Sequence, residues 1–157
     1  MGIRLADLNP PQQKAVITTE GPLLVLAGAG SGKTRVITYR IAHLLEKGVR
    51  PESILAVSFT NKAADEMRER VDRLCVGGVA RGVIVSTFHA LGLLILKQEQ
   101  AALGMPTGFS VYDTSDQLGV IREILRHAHL DGKKLDVKLI QSRISRAKNA
   151  GLTAADF

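Results

Sequence analysis

The chain has 157 residues, 45% of them hydrophobic and 23% charged, with 21 Lys and Arg against 15 Asp and Glu for a net charge of +6. That length suffices for one domain with a core and is short for two, and the balance excludes a disordered or fibrous chain. Cys75 is the single cysteine, so there is no intramolecular disulfide, and the surplus of positive charge suits a polyanionic partner.

Taken in order, Asn9-Pro10-Pro11-Gln12 reads as a helix start, with Asn9 as N-cap and Pro10 at the first helical position. Gly21-Pro22 ends that helix. The apolar run Leu23-Leu24-Val25-Leu26 reads as a first strand, followed by a helical pattern through Val36, Ile37, Arg40, Ile41, Leu44 and Leu45 that stops at Gly48. Ile54–Phe59 is a second nearly continuous apolar strand, and Ala63, Ala64, Met67, Val71, Leu74 and Cys75 form one stripe of the next helix, capped by Thr60. Cys75 on that stripe reads as a buried structural thiol. Gly82–Thr87 is a third strand. Strand and helix thus alternate three times, which predicts an α/β fold with a parallel sheet and right-handed crossovers.

Beyond residue 89 the pattern turns helical. A helix is expected from about His89 to Ala102. Thr114-Ser115-Asp116-Gln117 reads as a capping box opening a helix to about His129, and Asp136 opens another to about Asn149, closed by Gly151. Thr153-Ala154-Ala155-Asp156 is one more helix-start signature with only Phe157 after it, an expectation of truncation. The expected division is a sheet-bearing part, residues 1–89, and a helical part, residues 90–157. The N-terminus has no signal-peptide pattern, and the runs Leu23–Leu26 and Leu91–Leu96 are far too short to cross a bilayer, so the expected location is cytoplasmic, with no membrane partner.

The stretch that carries chemistry is Ala27-Gly28-Ala29-Gly30-Ser31-Gly32-Lys33-Thr34. Apolar strand, glycine-rich turn, Lys-Thr and helix is the layout of a P-loop, in which backbone N–H groups and a helix N-terminus wrap a phosphate. Lys33 would reach the β- and γ-phosphates and the Thr34 hydroxyl would coordinate Mg²⁺, so a nucleotide and Mg²⁺ are the cofactors expected. Ala27 stands where the pattern has its first glycine, a minor change.

Four segments together narrow the reading: Leu8–Gln12, Ala27–Thr34, Phe59-Thr60-Asn61-Lys62-Ala63-Ala64 with Met67, and Thr87-Phe88-His89. In order and spacing they closely resemble the motifs of superfamily 1 DNA helicases of the UvrD/Rep/PcrA type, over the front quarter or so of such a protein. The resemblance implies an incomplete RecA-like P-loop sheet, the front of a first motor domain, with a helical accessory insert on its C-terminal side. It implies a motor that moves 3′ to 5′ on single-stranded DNA, associated with the nucleoid and serving repair or replication. The partners implied are single-stranded DNA, a duplex junction and the remainder of the helicase chain.

Residue by residue, the resemblance makes Gln12 the reader of the adenine edge and sets Arg35 beside base or ribose. Phe59, Thr60, Asn61, Thr87, Phe88 and His89 become DNA contacts on the C-terminal edge of the sheet, where aromatic stacking and phosphate contacts hold single strands without regard to sequence. Phe59 reads equally as a core residue continuing its strand, and Thr60 also as a cap. In the helical part, Lys133, Lys134, Lys138, Arg143, Arg146 and Lys148 outnumber Asp136, which suits phosphate contacts or a solvated face.

Hydrolysis in this family needs an Asp-Glu pair at the end of a strand, and the pair present, Asp65-Glu66, falls inside a helical pattern. The 157 residues alone are therefore expected to bind Mg·ATP and DNA without unwinding. The rival expectation is a stand-alone nucleotide- or DNA-binding protein that does not hydrolyse. A guanine-nucleotide enzyme is disfavoured, because Asn61-Lys62 is followed by Ala64 rather than Asp and comes too early.

Overall fold

The computed structural model describes residues 3–130 and 135–156. Lys133, Lys134 and Phe157 lie outside the described residues. The chain forms two compact units, one running to Leu103 and one from Gly104.

In the first unit, α1 (Pro10–Ile17) and α2 (Lys33–Glu46) precede β1 (Leu55–Ser58), α3 (Asn61–Leu74), β2 (Ile84–Thr87) and α4 (Phe88–Glu99). Strands β1 and β2 pair in parallel, in the register Leu55 with Ile84 through Ser58 with Thr87. A parallel pair needs a crossover, and α3 supplies it. One face of α3 buries Ala64, Met67 and Val71 against Ile41 and Leu45 of α2 and against Ile54, Ala56 and Val85. Its polar side carries Arg68, whose guanidinium reaches over to donate to the Val85 carbonyl at 2.8 Å. A second cluster, Leu8, Ala15, Val16, Val36 and Tyr39, locks α1 onto α2.

The α/β arrangement with a small parallel sheet is observed, but with two strands among the described residues rather than three. Leu23–Leu26 forms no strand. Continuous apolar character supplies a strand's side chains but not its ladder, and no backbone–backbone hydrogen bond reaches residues 22–27. Leu24 and Leu26 are 82% and 87% exposed. Leu23 and Val25 line a cleft of about 320 Å³ with Ala15, Lys33, Val36, Ile37 and Arg40. Helix α4, expected to belong with the helical part, packs on β1 and β2.

The second unit is a pair of packed helices, α5 (Thr114–His127) and α6 (Val137–Asn149). Its described residues contain no strand. The cap of α5 lies one residue earlier than the sequence pattern suggests. Asp113, not Thr114, is the N-cap, and Asp113 and Asp116 exchange side-chain-to-backbone bonds of 2.9 and 3.0 Å. An ionised carboxylate at the positive end of a helix outcompetes a neutral hydroxyl one residue along. Asp136 caps α6 as expected, accepting from the backbone N–H groups of Lys138 and Leu139. The α5 and α6 side chains are tied by Gln141 donating to Gln117 at 2.9 Å.

Candidate functional site

The site is built where α1 meets the loop that opens α2. Asn9 caps α1 and Pro10 fills the first helical position, where its missing N–H costs nothing. That cap is reciprocal with Gln12: the Gln12 N–H donates to Asn9 Oδ1 at 3.0 Å, and the Asn9 N–H to Gln12 Oε1 at 3.1 Å. The other end of the Gln12 amide, Nε2, donates to the Ser31 carbonyl at 3.0 Å. Each amide end has one bonding position left, a lone pair on Oε1 and an N–H on Nε2. That donor–acceptor pair is what an adenine edge requires.

The loop from Ala27 to Gly32 closes on itself. Lys33 Nζ donates to the Ala27 and Gly28 carbonyls at 3.0 and 2.7 Å. Gly28 O also accepts from Ser31 Oγ at 2.7 Å. Gly32 is the N-cap of α2 with φ of +85°, a left-handed conformation that glycine adopts without strain. A Cβ there would stand 2.8 Å from Gln12 Nε2. Ala29 and Gly30 are exposed at the turn, and Ala27, which replaces the first glycine of the pattern, contributes only its carbonyl. Thr34 is half-buried on the first turn of α2 beside Lys33.

Arg35 projects over the Tyr39 ring, 5.6 Å from its centroid, and the Tyr39 hydroxyl donates to Asp7 at 3.2 Å. Arg40 belongs to none of the four motif segments. Its Nη1 donates to the Ala15 carbonyl at 2.7 Å and to the Thr18 carbonyl, so it holds the end of α1 that lies away from the loop. The signal was present: Arg40 interrupts the apolar stripe of α2, where a charge is retained only against an acceptor.

The second group of named residues follows the last paired residues of the sheet, Ser58 and Thr87. Phe59 and Phe88 lie 5.2 Å apart by ring centroid, tilted at 50°. Phe59 is 87% exposed, which removes the core reading. Thr60 and Thr87 accept from the N–H groups of Ala63 and Ala90, both at 3.2 Å, as N-caps of α3 and α4. Asn61 and His89 stand exposed on the first turns of those helices. The edge therefore gathers two aromatic rings and two helix N-termini. Asp65 and Glu66 are elsewhere, within α3, at 2.7 Å from Arg68 and 3.7 Å from Arg70. Among the described residues no three His, Cys, Asp or Glu side chains group as metal ligands.

A parallel pair of strands edged by aromatic residues and a closed Lys-Thr loop before a helix are thus the two candidate sites of the chain. The UvrD/REP helicase N-terminal domain family matches residues 8–157, and the chain belongs to that family. It is 53% identical over 146 residues to the ATP-dependent DNA helicase PcrA of Bacillus subtilis (strain 168), covering 92% of this chain and 20% of that protein. It is 47% identical over 157 residues to the PcrA of Staphylococcus aureus (strain Mu50 / ATCC 700699), covering 99% and 21%, and 49% identical over 151 residues to that of Leuconostoc citreum, covering 96% and 20%. The chain thus spans about a fifth of the length of these relatives. No helix among the described residues is long and apolar enough to cross a membrane.

Proposed function

We propose that this chain is the nucleotide-binding front of an ATP-dependent helicase that moves 3′ to 5′ on single-stranded DNA. The unit that runs to Leu103 is the beginning of a RecA-like motor domain and the unit from Gly104 a helical accessory segment, so the boundary read at residue 89 moves to follow α4. The observation that carries the reading is the loop of residues 27–34. Its lysine already rests on carbonyl oxygens, its glycine cap is left-handed, and a glutamine is tied to it from a neighbouring helix.

The residues present fit a triphosphate. Backbone N–H groups of the loop and of the first turn of α2 offer donors, and the Lys33 ammonium exchanges its carbonyl partners for the β- and γ-phosphates. Gln12 reads the base through its free amide positions, and Arg35 lies beside the base or ribose. The Thr34 hydroxyl would hold Mg²⁺, which when bound shields the phosphate charge.

The sheet edge of Phe59, Thr60, Asn61, Thr87, Phe88 and His89 holds single-stranded DNA by stacking and by phosphate contacts from helix N-termini. The basic residues Lys138, Arg143, Arg146 and Lys148 of α6 favour a duplex junction as a further contact. The 157 residues bind without unwinding. Asp65 and Glu66, the adjacent acidic pair, are paired with arginines on α3, and the chain covers a fifth of its helicase relatives.

The test is ATP binding and turnover by this chain, with and without single-stranded DNA, beside Lys33→Ala. Binding of labelled ATP that Lys33→Ala abolishes, with no DNA-stimulated turnover, is the expected result. Robust turnover lost in Lys33→Ala overturns the non-hydrolysing part of the reading, and binding unaffected by Lys33→Ala overturns the phosphate site.

A further inference from the structure

We propose that Gln12 is a positioning residue of the phosphate loop, acting on it independently of any base; the inference rests on the reading that this loop takes a triphosphate. The Gln12 amide has a single orientation here. Oε1 faces the Asn9 N–H and Nε2 faces the Ser31 carbonyl, and the reversed amide would set donor against donor and acceptor against acceptor. The reciprocal cap with Asn9 therefore fixes which atom reaches the loop.

The bond to Ser31 then passes into the loop by two routes. In a planar trans peptide the Ser31 C=O and the Gly32 N–H point in opposite directions, so fixing the carbonyl on Gln12 fixes the Gly32 N–H facing away from it. The same serine's Oγ is held by Gly28 O at 2.7 Å, and that oxygen also holds Lys33 Nζ at 2.7 Å. Gln12, Ser31 and Gly28 are thereby linked, and that link does not depend on Lys33, which exchanges Gly28 O for a phosphate. The missing side chain at Gly32 is a separate sign of this packing, since a Cβ would stand 2.8 Å from Gln12 Nε2.

A residue that only reads adenine is indifferent to a ligand with no base. The probe is inorganic tripolyphosphate, measured by calorimetry against ATP on the intact 157-residue chain, with Lys33→Ala as control. Gln12→Met keeps the length and adds no charge. It is expected to weaken tripolyphosphate about fivefold, the factor of one lost hydrogen bond, and ATP by at least as much.

Unchanged tripolyphosphate affinity with a loss confined to ATP overturns the positioning role and leaves the phosphate site standing. Binding of neither ligand by the unmodified chain overturns both. Because Gln12→Met also removes half of the α1 cap, a second measurement uses the unmodified chain. The Gln12 side-chain amide resonances are expected to shift on tripolyphosphate addition, and static resonances at saturation overturn the proposal.

Discussion

Phe59 and Phe88 stand side by side, ring centroids 5.2 Å apart, immediately beyond the last paired residues of neighbouring parallel strands. The pairing does little for stability, since Phe59 is 87% exposed. Phe59→Ala is therefore expected to leave the unfolding free energy within about 0.5 kcal/mol of the parent. Stacking on a base is worth roughly 1–3 kcal/mol, so affinity for a labelled oligothymidylate should fall roughly five- to hundredfold. Fluorescence anisotropy beside thermal unfolding checks both halves. Unchanged DNA affinity would remove Phe59 from the proposed DNA contacts.

The glycines of the loop are not equivalent. Gly32 has φ of +85° and faces Gln12 Nε2, whereas a Cβ at Gly28 meets nothing within 4 Å. Gly32→Ala forces a left-handed alanine, costing roughly 1 kcal/mol or more, and displaces the Gln12 amide from Ser31. Gly28→Ala, in the absence of ligand, should unfold within about 0.5 kcal/mol of the parent. Chemical denaturation of the two variants decides this. Equal midpoints would mean that the loop relaxes around a Cβ at position 32.

How far the sequence carries depends on whether a feature is local. The caps at Asn9 and Asp136, and strands β1 and β2, are written in adjacent residues and are found where expected. Leu23–Leu26 reads as a strand by the same criterion and is not one, because a strand is a relation between segments and its apolar residues name no partner. The P-loop pattern is equally local, but the bond from Gln12 to Ser31 and the clamp of Arg40 on Ala15 join separate helices and loops. Nothing in either segment alone specifies them. The aromatic edge is intermediate: each Phe was legible at a strand end, and only the register of Ser58 with Thr87 makes the two neighbours.

Cys75, the half-buried cap of α3, has its thiol pKa raised first by burial and then by the charges of Glu46 and Asp72. The folded chain thus holds this proton more tightly than the unfolded chain does. The associated stability is present below the unfolded thiol pKa, about 8.5, and is lost as pH rises through the higher folded value. Relative to Cys75→Ala, the parent should lose stability above that pH. At pH 8 its thiol should react with a disulfide reagent more slowly than free cysteine does. Faster reaction would contradict the burial effect.

The offset at the start of α5 gives a paired test. Asp113 makes the reciprocal bonds with Asp116, while Thr114 is already inside the helix. Asp113→Ala should cost about 1 kcal/mol of stability, the usual worth of an N-cap. Thr114→Ala should be neutral or slightly stabilising, because alanine is the better helix former. Thermal unfolding followed by circular dichroism separates them. The reverse ranking would return the cap to Thr114.

Arg40 holds α1 against α2 at the end opposite Gln12. Its guanidinium donates to the carbonyls of Ala15 and Thr18, and Ala15 is buried at 7% exposure. Carbonyls in a helix's last turn have no partner within the helix, so removing the donor leaves the Ala15 oxygen with no replacement in a packed interface. Arg40→Met keeps much of the apolar stem and deletes both bonds. It is expected to cost about 1.5–3 kcal/mol, the range for hydrogen bonds from a charged donor. Arg40→Lys keeps a cationic donor and should recover part of that loss, but not the geometry of the planar fork. Hydrogen exchange locates the effect: α1 amides should exchange faster in Arg40→Met while those of α3 follow global stability. If α1 keeps its protection and the urea midpoint does not move, Val16 and its apolar neighbours alone hold α1 on α2.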